Sequence, residues 1–217
     1  MKANKKTITE LVFILDNSGS MDGLERDTIG GFNSMLDKQK KLNDECYVTT
    51  ILFNHEFEVL HEGIRIEDIP HITEREYYVG GMTALYDAVA MTIQRMPLYR
   101  DLPNKKKHNR KVLFVIITDG HENSSREYSQ AAVKSLIEHR KSEFGWEFIF
   151  LGANIDAPSV AKDIGIDTER SANYIADSKG TELNFNILES MIYEYRKFDN
   201  ISDNHLNKIR DDEKKRR

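Results

Sequence analysis

The sequence predicts an α/β domain: a doubly wound, mostly parallel central sheet with helices on both faces. Three observations carry that prediction. Leu11 to Leu15, Val112 to Ile117 and Trp146 to Leu151 are short, largely apolar runs with polar flanks, the mark of strands buried on both faces of a parallel sheet. Between such runs lie stretches whose apolar residues keep helical spacing. Strand and helix patterns alternate along the chain, as a sheet built from crossover connections requires.

Leu11–Leu15 is the first strand. Ile29, Phe32, Leu36 and Gln39, with Met35 and Leu42 beside them, set a helix after a turn at Asp22-Gly23. Tyr47 to Phe53 is rich in β-branched residues and reads as the second strand. Phe57 to Leu60 and Ile64 to Ile66 read as a third, a hairpin partner at the sheet edge. After Gly80-Gly81-Met82-Thr83, an amphipathic helix is marked by Leu85, Ala88, Val89, Thr92 and Met96 and ended by Pro97 and Pro103. A basic run at 105–111 reads as a solvated loop before Val112–Ile117. Ser124-Ser125 offers an N-cap for a helix to about His139. Trp146–Leu151, with aromatics that read as packing, is another central strand. Asp156-Ala157-Pro158 opens a short helix with Pro in its first turn. Leu188, Met191, Ile192 and Tyr195 share one face of a last helix. The domain spans 7–198, and the polar stretch 199–217 reads as a mobile tail.

The chain has 217 residues, enough for one large domain with a substantial core. Its 39% hydrophobic and 31% charged residues rule out a disordered or fibrous chain. A net charge of −5 disfavours a general nucleic-acid binder. The single Cys46 excludes an internal disulfide and a multi-cysteine zinc site, and fits a reducing compartment. The basic start is followed by an apolar run too short for a signal peptide, and no stretch approaches the roughly 20 apolar residues of a membrane span. The expected location is the cytoplasm.

Three segments carry candidate chemistry: Asp16-Asn17-Ser18-Gly19-Ser20 after the first strand, Thr83 before a helix, and Asp119 in Thr118-Asp119-Gly120 after another strand. In an open α/β sheet, ligands bind beyond the carboxyl ends of central strands near the switch point, which is where Asp16 and Asp119 fall. Residues two apart in an extended segment point to one side, so Asp16, Ser18 and Ser20 aim a carboxylate and two hydroxyls at one point. Every candidate ligand is an oxygen, which suits Mg²⁺ or Mn²⁺. Two carboxylates just balance a divalent charge. The ion stays electrophilic and able to accept a carboxylate from outside.

This ordered set (DNSGS after an apolar strand, MTAL before a helix, ITDG after a second apolar strand) resembles the metal ion-dependent adhesion site of the von Willebrand factor type A family. The similarity runs from about Glu10 to about Ile166. It implies a Rossmann-like sheet flanked by helices and a Mg²⁺ held by Ser18, Ser20 and Thr83, with Asp16 and Asp119 binding directly or through water. It implies a protein partner that offers an Asp or Glu, and by family analogy an AAA+ ATPase as a partner class. The missing leader and disulfides resemble a stand-alone bacterial or phage member rather than a secreted adhesion module.

The simpler readings are a turn cap for Asp16 and Ser18 and an N-cap for Thr83. His121 reads as an exposed loop residue rather than a general base, and Asp22 and Glu25 as turn and helix-terminus residues. Two other functions compete. A metal-dependent phosphohydrolase is disfavoured because Ser18 stands where a second Asp would act as acid and base, and because GxxxxGK[ST], GxGxxG and GxSxG are absent. A protein–RNA scaffold has only the basic loop and tail in its favour. The expectation is a binding domain, not an enzyme.

Overall fold

The structure, a computed structural model, describes residues 6–96 and 108–217. Six strands form one sheet, β1 (Lys6–Asp16), β2 (Cys46–Phe53), β3 (Phe57–Arg65), β4 (His108–Thr118), β5 (Glu147–Gly152) and β6 (Ser171–Asn173), in the order β3-β2-β1-β4-β5-β6. Only β3 runs antiparallel. The helices are α1 (Glu25–Lys40), α2 (Leu85–Arg95), α3 (Gln130–Phe144), α4 (Ala157–Asp163), α5 (Ser178–Phe198) and α6 (Asn207–Arg216). The expected α/β, Rossmann-like architecture is thus present.

The uniformly apolar strands have a direct cause. In β1, Leu11, Phe13 and Leu15 meet Phe32 and Leu36 of α1 and Leu188 and Ile192 of α5 on one face. Val12 and Ile14 meet Leu85, Val89 and Ile93 of α2 on the other, where Val133 and Ile137 of α3 and Ala161 of α4 continue the cover. With both faces buried, both sides of the pleat select apolar residues along the middle of each strand. Trp146 and Phe148 stack on Phe114 at centroid distances of 5.3 and 4.9 Å, so the aromatic alternation serves the core.

Four expectations change. Arg110 and Lys111 belong to β4, not to a solvated loop. Lys111 is buried and donates to the carbonyls of Tyr195 and Arg196 at the end of α5, while Arg110 pairs with Glu10. Residues 105–107, Pro97 and Pro103 lie outside the described residues. Helix α3 starts later than Ser124-Ser125: Ser129 is its N-cap, accepting from the Ala132 N–H at 3.3 Å. The short edge strand β6 was not anticipated. Finally, the stretch 199–217 carries α6, anchored by buried Leu206 and Ile209. Arg210 of α6 donates to the carbonyls of Thr168, Glu169 and Ser171 at 3.0, 3.1 and 2.8 Å. Among the described residues, no helix is long and apolar enough to cross a membrane.

For the site, the decisive feature is the neighbouring of β1 and β4. The chain leaves β1 toward β2 on one side and returns to β4 on the other, so their carboxyl ends form the switch point. At such a point an open α/β sheet forms its binding crevice, because the connecting loops diverge.

Candidate metal centre

Five side chains singled out in the sequence meet at that crevice. The Ser18 hydroxyl lies 3.0 Å from the Ser20 hydroxyl and accepts from the Thr83 hydroxyl at 3.0 Å. Gly120 closes the gap from the third loop: a Cβ there would sit 3.0 Å from both Ser20 Oγ and Thr83 Oγ1. Asp16, at the end of β1, accepts from the Ser18 N–H on Oδ1 at 2.7 Å and from the Thr118 hydroxyl on Oδ2 at 2.5 Å. Thr118 ends β4, and Asp119 follows it. Asp16, Ser18, Thr83 and Asp119 are all buried, whereas Gly19 and Ser20 are exposed. The cluster therefore opens to solvent on the Ser20 side.

Its electrostatics are unbalanced. Both carboxylate oxygens of Asp119 are buried without a hydrogen bond of good geometry. Burial pushes its carboxyl up to about 6; the nearby Ser20 hydroxyl opposes the rise and the Asp16 charge adds to it. Burial also lifts Asp16, against the bonds from Ser18 and Thr118. Two buried carboxylates with no cationic side chain bonded to them are costly, and a divalent cation is the group that would offset both. The donor set fits such an ion: two carboxylates and three hydroxyls, all hard oxygens. No set of three His, Cys, Asp or Glu gathers among the described residues, which excludes a carboxylate-saturated or imidazole-rich centre there.

The loops are locked together by residues other than the five candidate ligands. Asn17 donates from its amide to the Tyr78 carbonyl at 3.0 Å and accepts from the Gly80 N–H at 2.9 Å. The Gly19 N–H bonds the Gly81 carbonyl at 3.1 Å. Gly81 has φ 77°, and a Cβ there would meet the His55 ring at 2.1 Å, so only glycine fits. The buried Tyr77 hydroxyl donates to the Asp16 carbonyl at 2.5 Å. Asn17 and Thr118 lie inside the recognised motifs. Tyr77 and Asn123 carry no local signal, because their partners lie 61 and 40 residues away.

The alternative role of Thr83 as an N-cap is not adopted. Helix α2 has no side-chain cap of its own. Its Tyr86 N–H bonds Glu122 at 3.0 Å, and its Asp87 N–H bonds Ser125 at 3.1 Å. The loop after β4 thus caps α2 from outside and leaves the Thr83 hydroxyl to the cluster. Asp87 returns the favour by accepting from the N–H groups of Arg126, Glu127 and Tyr128. His121 is exposed, as expected. Glu25 lies in the first turn of α1, where an anion favours the helix.

No protein-family model matches the sequence, and no curated protein matches it. Solved structures do. One titled von Willebrand factor type A, from Catenulispora acidiphila, aligns with TM-score 0.58 at 16% identity over 85% of this chain and 42% of that one. The pilus adhesin SpaC of Lactobacillus rhamnosus GG, in an open conformation, aligns with TM-score 0.65 at 12% identity over 89% and 31%. Proximal thread matrix protein 1 of the mussel byssus, with a zinc-occupied MIDAS motif, aligns with TM-score 0.55 at 11% identity over 85% and 45%. The chain spans less than half the length of each of these structures. At such identities the likeness is one of fold, and the fold is that of a von Willebrand factor type A domain.

Proposed function

We propose that this protein is a divalent-metal-dependent protein-interaction domain. Ser18, Ser20 and Thr83 hold a Mg²⁺ or Mn²⁺ ion with Asp16 and Asp119, and a partner's Asp or Glu completes the coordination. The single observation that carries this reading is Asp119: a buried carboxylate with both oxygens unpartnered, near the Ser20 hydroxyl, which gathers with those of Ser18 and Thr83. Bound there, the metal supplies an electrophilic centre for an incoming carboxylate. The chain's own residues orient it. Asp16 is held by Ser18 and Thr118, and the open side at Ser20 leaves the approach free. Tyr78 and Met82, 55% and 50% exposed on the Thr83 loop, offer apolar contact beside that approach, as protein-binding surfaces do.

A binding role is favoured over catalysis because, with Asp16 and Asp119 assigned to the ion, the remaining carboxylate of the loop after β4 is already engaged. Glu122 accepts from the N–H groups of Tyr86, Ser124 and Ser125 and from the Ser125 hydroxyl. The buried single thiol of Cys46 agrees with a reducing compartment, the cytoplasm. An AAA+ ATPase is the partner class we infer from the family resemblance.

The test is thermal unfolding of wild type and Asp16→Ala with Mg²⁺, Mn²⁺ or chelator, followed by capture of partners with and without chelator. Metal raises the wild-type melting temperature and leaves that of Asp16→Ala unchanged. Equal shifts in both proteins would refute the site.

A further inference from the structure

We propose that Asn123 is the positioning residue of the metal centre, acting through Thr83. The inference rests on the metal-binding reading above and extends it to a side chain that touches no ligand oxygen itself. Asn123 clamps the Thr83 peptide from both sides: its Oδ1 accepts the Thr83 N–H at 2.9 Å, and its own N–H donates to the Thr83 carbonyl at 3.0 Å. Thr83 is β-branched, so its χ1 is stiff. A fixed backbone therefore fixes the direction of its hydroxyl. Ser18 and Ser20 are not β-branched, so their hydroxyls turn more freely about χ1 to meet an ion. Thr83 is the rigid corner of the cluster, and Asn123 sets where that corner points.

Asn123 is itself rigidly mounted. Its neighbour Glu122 accepts from the Tyr86 N–H in α2 and from the N–H groups of Ser124 and Ser125. The Asp87 carboxylate gathers the next three N–H groups of the same loop. The loop that carries Asp119 is thereby stapled to the helix that follows Thr83. Among the described residues, Asn123 is the side chain that carries this rigidity to the Thr83 amide. Partners beyond the direct ligands typically change metal affinity ten- to a hundredfold.

The experiment is a Mn²⁺ titration of the full chain followed by electron paramagnetic resonance, with wild type, Asn123→Ala, Asn123→Asp, Thr83→Ala and the Thr83→Ala/Asn123→Ala double variant. Far-ultraviolet circular dichroism of each metal-free protein reports folding. Asn123→Ala weakens Mn²⁺ about tenfold or more. Asn123→Asp, which keeps the acceptor oxygen, restores affinity to within a few-fold of wild type. The double variant binds no more weakly than Thr83→Ala alone, because both changes remove one interaction. Unchanged affinity in Asn123→Ala, or the same further loss in the Thr83→Ala background, overturns the assignment while leaving the metal centre standing. A wild-type chain that binds no Mn²⁺ overturns both.

Discussion

Replacing Asp119 by Asn gives opposite results with and without metal, and the structure sets the size of each. In the metal-free protein the Asp119 carboxylate is buried without a partner, and its pKa is pushed from the ordinary 3.8 to about 6. That lift corresponds to roughly 3 kcal/mol at ~1.4 kcal/mol per tenfold. Solvent at the open side of the cluster reduces it to about 1–2 kcal/mol. An acid whose folded pKa is raised destabilises the fold wherever it is ionised, so near pH 7 the neutral amide relieves the strain. For a domain of this size each kcal/mol moves the melting temperature by about 2–4 °C. Metal-free Asp119→Asn should therefore melt about 2–8 °C above wild type. With Mn²⁺ at about a hundred times its dissociation constant, wild type gains ~2.7 kcal/mol, while the variant gains little. The order of the two melting temperatures should cross on adding metal, as read by scanning calorimetry. A variant that is less stable without metal and still shifts with it would mean that Asp119 is a structural acceptor, and the reasoning fails.

Three further outcomes follow from buried groups elsewhere. Arg196 is fully buried, with Nε 3.0 Å from Asp44 and Nη1 2.7 Å from the Gln39 carbonyl; Arg196→Ala should cost about 3 kcal/mol in urea unfolding, and Arg196→Lys should fail to restore it because one ammonium cannot span both acceptors. The Cys46 thiol is buried and pushed up to about 12, so a thiol-reactive dye should label the native protein very slowly and the urea-unfolded protein at once. Burial lowers the pKa of His61 from 6.5, so the unfolded chain binds more protons just below that pH. Stability is then full above pH 6.5 and falls as pH drops through it; the melting temperature of His61→Gln should show a shallower acid slope over this window.

Central elements were legible because burial on both faces leaves an unmistakable apolar run. The three loop motifs were legible because each lies directly at a strand end or a helix start. What escaped has physical reasons. Arg110 and Lys111 looked like loop because they are charged, yet Lys111 is accommodated by the carbonyls that end α5. Ser125 looked like the cap of α3, but its hydroxyl caps α2 instead, a choice only the third dimension makes visible. Strand β6 has three residues, too few to establish a period of two. Helix α6 is so polar that its apolar anchor is only Ile209 and the preceding Leu206. Tyr77 and Asn123, which fix the ligand loops, act across distances in sequence that no local pattern records.

The placement of α6 against β6 bears on how the protein behaves in a crowded solution. An open parallel sheet ends in a strand whose outer peptide groups invite a foreign strand to pair. At this margin the Arg210 guanidinium occupies the Ser171 carbonyl, and the neighbouring helix stands where an intruding chain would lie. Removing residues 205–217 should therefore leave the cluster at the ends of β1 and β4 built but uncover a sticky border through which the protein self-associates.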